Sequence, residues 1–228
     1  MKKSLQIGLI GAILTIGLSF VFPDVYQMGE WKTVDFRFRA RSKIEIDPRI
    51  VIVDADDASS VQYGQWPWKR SVHAKMIKFL KEAGVETVIY DVLFAYPGKN
   101  EEDNQLVKAS KDAGNLIFPV AINLGDSKEN INGANPSNLQ LDSIKNFSSA
   151  SANYNILKDS IVPLKPLIKI SQGLGHIAAN RDGDGVIRRV PLLVRNHSGL
   201  FPSLAFAGVL KYLKIPDSNV EIKKFSIV

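Results

Sequence analysis

The most apolar stretch of the chain lies at its start. Leu5 to Phe22 carry no charge and directly follow the short basic segment Lys2-Lys3-Ser4. A helix of this length, at about 1.5 Å rise per residue, nearly crosses a hydrocarbon core of about 30 Å. The run is longer than the apolar segment of most signal peptides, and no A-x-A-like cleavage site follows it. We therefore predict an uncleaved transmembrane anchor in residues 1–23, with a cleaved signal peptide as the alternative.

Both interpretations give the chain the same orientation. The positively charged N-terminus stays in the cytosol, and the residues from about Asp24 onward are exported. A membrane is therefore the first predicted partner.

Residues 24–47 extend the helical pattern beyond the anchor. Val25, Met28 and Phe38 recur at helical spacing, which predicts a juxtamembrane amphipathic helix and a connector. The segment DFRFRARS alternates charged with apolar side chains and favours no single secondary structure, so an ordinary exposed connector is the alternative. If the helix carries a signal to the anchor, the residues that we expect to transmit it are Trp31, Asp35, Arg37 and Phe38.

From Pro48 onward, continuous apolar runs alternate with amphipathic stretches. Strands are predicted over Pro48–Asp56, Glu86–Phe94 and Asn115–Gly125, because β-branched runs of this kind are typical of strands buried on both faces. The stretches that begin at Ser71 and Asn100 carry helical patterns, and each ends at a glycine. The order βαβαβ predicts a parallel sheet with helices packed on its faces.

The second half of the chain is less regular. Asn and Ser dominate residues 126–160, which predicts an exposed excursion. Gly173–Asn196 is predicted to form two strands joined by an Asp/Gly turn, and Phe201–Ile215 to form a helix. The predicted fold class is therefore α/β: a βαβαβ parallel sheet core with an added antiparallel hairpin and a C-terminal helix, preceded by an N-terminal transmembrane helix.

Composition narrows the range of functions. The chain has no cysteine, which excludes disulfides, thiolate metal sites and a cysteine nucleophile. Its formal net charge is +6, but the cations are dispersed among carboxylates, which is typical of a solvated surface. We therefore expect no nucleic-acid partner. No Walker loop, G-x-S-x-G elbow or H-E-x-x-H motif is present.

The motif GQWPWKR, Gly64 to Arg70, follows the first predicted strand. Pro67 fixes the backbone between Trp66 and Trp68, and each indole can bury roughly 150–250 Å². One interpretation is a wedge that stiffens the turn before the helix. The other is a ligand contact, in which one indole faces a pocket and Arg70 supplies a cation to an anionic ligand. The two are compatible if one tryptophan is buried and the other presented.

Carboxylates at the predicted strand ends form a second candidate site. The carboxyl ends of parallel strands meet at one edge of a sheet, so we expect these side chains to lie close together. Such a cluster suits a small ligand, or Mg²⁺ or Ca²⁺ through oxygen ligands; helix capping and turn formation are the alternative. No metal or cofactor is assigned to it. The ligand-binding candidates are Trp66, Trp68, Arg70, Asp56, Asp57 and Asp91, and the metal candidates are Asp54, Asp56, Asp91 and Asp103.

Two acidic motifs resemble parts of known functional sites, but other residues that such sites need are absent from the nearby sequence. RDGDG, with Asp182 and Asp184, resembles a calcium loop but lacks the glutamate that such a loop carries at its twelfth position, so we predict a turn. Asp54-Ala55-Asp56 resembles the DxD motif of phosphate-transferring hydrolases, without a phosphate-binding residue at diagnostic spacing. We expect no catalysis within these residues. The alternative functions are a membrane-anchored, metal-dependent phosphate-ester hydrolase and a passive partner-binding surface domain.

The motifs occur in an order that resembles a known family. The apolar N-terminal run is followed by Asp35-x-Arg37, IVIVDADDAS, G-x-WPW-x-R, DVLF and NRDGDGVIRRVPL. In that order they resemble the second class of CHASE domains, which are extracytoplasmic sensory modules of bacterial transmembrane receptors. The resemblance covers essentially the whole chain.

This resemblance implies a function. Residues 48–228 would form a sensory domain outside a bacterial plasma membrane, which binds an undefined small-molecule or ionic ligand, within a homodimer. The signal would pass to a cytosolic output, which in this family is an adenylate or guanylate cyclase, a diguanylate cyclase, a histidine kinase or a serine/threonine kinase. The last predicted strand, VEIKKFSIV, runs to the end of the chain, so we expect further membrane helices and the output domain to follow it.

Overall fold

The computed structural model describes residues 2–122, 160–196, 199–216, 220, 222–223 and 226–227. The Asn- and Ser-rich segment predicted as an excursion lies almost entirely outside the described residues. The chain divides into two compact units, Met1–Asp54 and Ala55–Val228.

The first unit contains two helices, α1 (Lys2–Val21) and α2 (Pro23–Ala40). A proline at the first position of α2 costs no hydrogen bond, and Asp24 in its first turn and Arg37 in its last turn complement the helix dipole. The chain is thus helical where a helix is predicted after the apolar run, but the apolar side chains of α2 do not gather on one face as an amphipathic helix requires, and its juxtamembrane position stays a prediction. No helix in the described part of the chain is long and apolar enough to cross a membrane, and the anchor stays a prediction.

The strand predicted over Pro48–Asp56 is wrong. Residues 51–56 form no strand, and the Val51 and Ile52 side chains are 77% and 88% exposed. A β-branched run favours an extended backbone, but a buried strand also needs hydrogen-bonding neighbours, which the pattern of a single segment does not reveal. None of the described strands pairs with this segment.

The second unit is built on a small sheet around β2 (Leu116–Ile122). β1 (Val88–Ile89) and β4 (Gly173–His176) pair with β2 in parallel, and β3 (Ser160–Ile161) pairs with its far end in antiparallel fashion. The fold is therefore mixed α/β with a mainly parallel sheet, as predicted. The strand that completes the parallel set is β4, not the predicted first strand.

The hairpin predicted over Gly173–Asn196 is also wrong. Its first half, β4, joins the parallel sheet, whereas its second half, β5 (Leu193–Asn196), pairs antiparallel with β6 (Gly199–Pro202). Local pattern indicates where a strand forms, but its partner is decided by which surfaces the rest of the chain can cover. At the end of the chain, β7 (Ile222–Lys223) and β8 (Ser226–Ile227) form a short antiparallel pair where the sequence predicts one strand.

Four helices pack on the central sheet: α4 (Arg70–Glu82), α5 (Asn100–Ala113), α6 (Lys165–Ile170) and α7 (Leu204–Tyr212). Phe118 of β2 is buried in one cluster with side chains of α4, α5 and α6, whereas its neighbour Ile117 packs against Leu204 and Ala207 of α7. Successive strand residues point to opposite sides of a sheet, so helices cover both faces, as predicted.

Close packing of α7 on the sheet depends on the absence of a side chain at Gly175 in β4. An ideal Cβ at Gly175 would lie 2.7 Å from the backbone nitrogen of Leu204. At Gly173, two residues earlier, the nearest atom to such a Cβ is the flexible Lys211 Cε, at 3.3 Å. The two glycines therefore differ in whether backbone or side chain must move to admit a methyl group.

We expect Gly175→Ala to lower the free energy of unfolding by about 2–3 kcal/mol, because α7 must shift to admit the methyl group. Gly173→Ala is the matched control and should change it by less than about 1 kcal/mol, since the end of Lys211 can move. Urea denaturation followed by circular dichroism measures both. Equal losses for the two variants would contradict this account of the contact between β4 and α7.

A buried histidine lies on the same strand. His176 is 1% exposed and is the register neighbour of Val120 in the pairing of β2 with β4. Its Nδ1 accepts a hydrogen bond from the backbone N–H of Ala178 at 3.3 Å. Burial lowers the pKa of His176 to about 4, so the imidazole is neutral at pH 7.

Stability should therefore fall as the pH drops from 6.5 to 4. The unfolded chain binds a proton at His176 near its ordinary pKa of 6.5, whereas the folded protein binds it only near pH 4, so the proton favours unfolding. Between pH 7 and pH 4 we expect the wild type to lose about 3 kcal/mol more than His176→Gln. Urea denaturation at each pH gives the slope of the free energy of unfolding against pH for the wild type and for the variant. An effect of the substitution that is the same at every pH does not change this slope. Parallel slopes would show that His176 is not the group responsible.

Candidate functional site

The tryptophan motif forms a compact turn between α3 (Asp57–Tyr63) and α4. Gly64 ends α3 with a φ of +89°, and the Trp68 Nε1 donates a hydrogen bond to its carbonyl at 2.7 Å. The Trp68 ring centroid lies 5.4 Å from those of both Tyr63 and Trp66. Trp68 is half-buried, whereas Trp66 remains 49% exposed. One indole packs within the turn and the other is presented to solvent.

His73 of α4 joins this turn to the core. Its ring centroid lies 5.5 Å from that of Trp66 and 5.1 Å from that of Phe94, and its Nδ1 is 2.8 Å from the Tyr90 hydroxyl oxygen. The imidazole is buried, which lowers the pKa of His73, and the charge of Arg70 lowers it further. Burial also raises the pKa of Tyr90. Both groups are therefore neutral at pH 7.

Arg70 is engaged by neighbouring segments. Its guanidinium forms an ion pair with Asp103 of α5 and donates a hydrogen bond to the Tyr96 carbonyl. Its backbone N–H donates to Glu102 Oε2 at 3.1 Å, and Asp103 also accepts a hydrogen bond from the Gly98 N–H at 3.0 Å. The cation that the sequence suggests for an anionic ligand thus already has two carboxylates beside it.

The predicted carboxylates are used in several ways. Asp56 caps α3, accepting hydrogen bonds from the Ser59 N–H at 2.8 Å and the Ser59 hydroxyl at 2.6 Å, and these bonds lower the pKa of Asp56. Asp57 and Asp91 are exposed, and Asp54 belongs to the first unit. No three His, Asp or Glu residues in the described ranges lie close enough to hold a metal ion. The capping alternative therefore holds for Asp56.

The RDGDG motif forms the predicted turn. The Asp182 N–H donates to the Val186 carbonyl at 2.9 Å, and Gly185 has a φ of +81°. Arg188 closes the turn through ion pairs with Asp182 at 2.9 Å and Asp184 at 2.8 Å, and its side chain is only 5% exposed. These carboxylates neutralise a buried guanidinium, which gives them a structural use.

The four transmission candidates lie on α2. Trp31 and Asp35 are half-buried and four residues apart, whereas Arg37 and Phe38 are exposed. The Arg41 guanidinium lies 4.4 Å from the Phe38 ring centroid. Their role in signalling stays a prediction.

Three residues that hold this site together are not among the candidates predicted from the sequence: His73, Tyr90 and Glu102. His73 carried a signal, because it lies four positions before the core residue Ile77 on the apolar face of its helix. No feature of the sequence indicates the roles of Tyr90 and Glu102, since their hydrogen-bonding partners, His73 and Arg70, are remote in sequence.

Comparison with protein families decides the wider identity. The chain matches the CHASE2 domain over residues 9–227, nearly its whole length. It belongs to the CHASE2 domain family. No curated protein and no solved structure matches the chain.

CHASE2 domains are extracellular sensory domains of signalling receptors and are not themselves catalytic. The resemblance drawn from the motifs is thereby confirmed. In this CHASE2 domain, Arg70 of G-x-WPW-x-R and Arg188 of NRDGDGVIRRVPL make ion pairs with aspartates of the same domain. These two motif arginines therefore contribute to how the domain is built.

Loss of one partner of the Arg70–Asp103 pair should destabilise the CHASE2 domain. We expect Asp103→Asn to lower the free energy of unfolding by about 2–3 kcal/mol, less than for a fully buried pair because both side chains keep some exposure. Glu82→Gln, which breaks the exposed pair with Lys78, is the control and should cost about 0.5 kcal/mol or less.

Urea denaturation of the wild type, Asp103→Asn, Arg70→Gln and the variant that combines the two substitutions makes up a double-mutant cycle. A coupling energy for Arg70 and Asp103 no larger than that of an exposed pair would contradict the structural role of this contact.

Proposed function

We propose that this chain is the input part of a bacterial transmembrane receptor, with residues 48–228 as its extracytoplasmic sensory domain. The family match over residues 9–227 is the observation that carries this proposal. The cytosolic output would be a nucleotide or diguanylate cyclase, a histidine kinase or a serine/threonine kinase, joined through further membrane helices.

The anchor in this proposal rests on the sequence. Leu5 to Phe22 form an uncharged run preceded by two lysines, which favours a cytosolic N-terminus. α2 follows directly, and its residues Trp31, Asp35, Arg37 and Phe38 are the proposed route from the domain to the anchor.

The sensing surface in this proposal is the tryptophan turn. Trp66 is half exposed on a turn fixed by Trp68, and loops held by a rigid scaffold commonly carry binding residues. Because Arg70 is paired with Asp103, the ligand is a small molecule that contacts the ring face of Trp66 more than it relies on a cation. The observed use of Asp56 as a helix cap gives no support to the hydrolase alternative.

Signalling would follow from differential binding. A ligand that prefers one arrangement of the turn shifts the population of the domain toward that arrangement. A homodimer, in which two copies of α2 lie side by side, would pass the shift to the output.

Cysteine labelling in intact cells tests the orientation, and the absence of native cysteine removes background. In cells whose outer envelope admits a membrane-impermeant maleimide, we expect Val61→Cys to be labelled, because Val61 is 90% exposed and lies on the exported side. Ser4→Cys should be labelled only after lysis, since it precedes the anchor.

Leu106→Cys is the control for access within the folded domain. Leu106 is 0% exposed, so it should stay unlabelled in both samples until the protein is denatured. Labelling of Val61→Cys only after lysis would overturn the extracytoplasmic assignment and with it the receptor function.

A further inference from the structure

His73 connects the solvent-facing tryptophan to the core of the sensory domain. The imidazole is 4% exposed and meets the Trp66 ring at an interplanar angle of 90°, with centroids 5.5 Å apart. On its other side lie Tyr90, hydrogen-bonded to Nδ1, and the buried ring of Phe94. The ring of Trp68 lies further away, at a centroid distance of 6.3 Å. A change in the state of His73 can therefore reach the surface directly, through its edge-on contact with Trp66.

The surroundings disfavour a positive charge on this ring. The charged and titratable groups that face it are Arg70 from its own helix and Tyr90 from the segment after β1, while Asp103 and Glu102 of α5 hold Arg70 in place. His73 also lies in the first turns of α4, where the helix dipole opposes a cation. Burial lowers the pKa of His73 and the nearby Arg70 charge adds to this effect, and together they outweigh a hydrogen bond with the Trp68 backbone, which acts in the opposite direction.

Protonation would also change the hydrogen bonding of the ring. A neutral imidazole leaves one nitrogen free to accept a hydrogen bond from the Tyr90 hydroxyl, whereas an imidazolium has two donors and no acceptor. The Tyr90 oxygen must then accept, and the buried cation gains hydration only by moving toward solvent. Phe94 is 6% exposed and belongs to the core, and Trp68 is held by its hydrogen bond to the Gly64 carbonyl. The half-exposed Trp66 is therefore the neighbouring ring that can move.

We propose that this domain responds to acidification outside the membrane through His73, whose protonation displaces Trp66 and rearranges the tryptophan turn. The inference rests on the proposed function, which makes that turn the sensing surface. The species recognised is the proton itself, and the turn is ordered above the transition and rearranged below it.

Tryptophan emission of the full 228-residue chain tests this proposal. In a Trp31→Phe background only Trp66 and Trp68 emit. Between pH 7 and pH 4.5 we expect the emission maximum to move to longer wavelength and quenching by acrylamide to rise, with a midpoint below the ordinary histidine pKa of 6.5. Far-UV circular dichroism should stay constant through this transition, because the helices and the sheet remain folded.

Two variants of the same background identify the group that titrates. His73→Gln keeps a hydrogen-bonding partner for Tyr90 but cannot take up a proton, and it should abolish the shift. His176→Gln removes the other buried imidazole and should retain it. A shift that persists in His73→Gln, or a wild type with no shift in this range, overturns the proposal.

Nuclear magnetic resonance of the wild type gives a second test that needs no variant to fold. The His73 Cε1 proton and the Trp66 Nε1 proton should titrate with one shared midpoint, and separate midpoints overturn the proposal. Its failure leaves the receptor assignment intact, since cysteine labelling tests that independently. If the labelling experiment contradicted the receptor assignment, the pH-dependent change in tryptophan emission could still be measured.

Discussion

The ion pair between Arg70 and Asp103 fixes how the two longest helices of the second unit begin. Arg70 is the first residue of α4, and Asp103 lies in the first turn of α5. The guanidinium also binds the Tyr96 carbonyl, and Asp103 binds the Gly98 N–H, so the loop before α5 is held by the same contact. A Cβ at Gly98 would lie only 2.9 Å from Arg70 Nη1, which shows how closely this loop approaches the pair. The position of the tryptophan turn follows, because it leads directly into Arg70.

The same contact decides which chemistry the turn can offer. A free arginine beside two indoles would suit an anionic ligand. Here Asp103 neutralises that charge and Glu102 accepts the backbone N–H of Arg70, so the local balance is no longer positive. What the turn presents to solvent is the ring of Trp66. Behind that ring lies His73, an uncharged group at pH 7 whose hydrogen bond to Tyr90 depends on its protonation state.

Helices and the central strands could be predicted from the sequence because their signals are local. The 3.6-residue period and the glycine that follows the C-terminus of each helix identify α4 and α5, and the apolar run identifies β2. The two wrong strand assignments concern the pairing of strands. Pro48–Asp56 has the composition of a buried strand but pairs with no described strand, and Gly173–Asn196 contributes its halves to two different sheets. Pairing is set by contacts between residues far apart in sequence, which a single pattern does not contain.

In the candidate site, too, the sequence indicates local features but not contacts between residues that are far apart in the chain. The motif allows for one packed and one presented tryptophan, since Pro67 restricts the backbone between them, but it does not decide between the wedge and the ligand contact. That Arg70 would be taken by Asp103, 33 residues later, does not follow, because nothing near Arg70 in the sequence marks its partner.

Two of the family motifs place a buried or partly buried arginine against aspartates of the same domain, Arg70 with Asp103 and Arg188 with Asp182 and Asp184. Removing such a charge from water is unfavourable unless its partners are supplied, so each arginine depends on its aspartates. In this domain the arginines of the two motifs therefore have a structural use. The ring of Trp66 has a different position: its neighbour Trp68 makes the hydrogen bond that holds the turn, while Trp66 is half exposed and its ring lies edge-on against those of Trp68 and His73. If the tryptophan turn is the sensing surface, as we propose, ligand recognition depends on the exposed face of Trp66 and on His73 behind it.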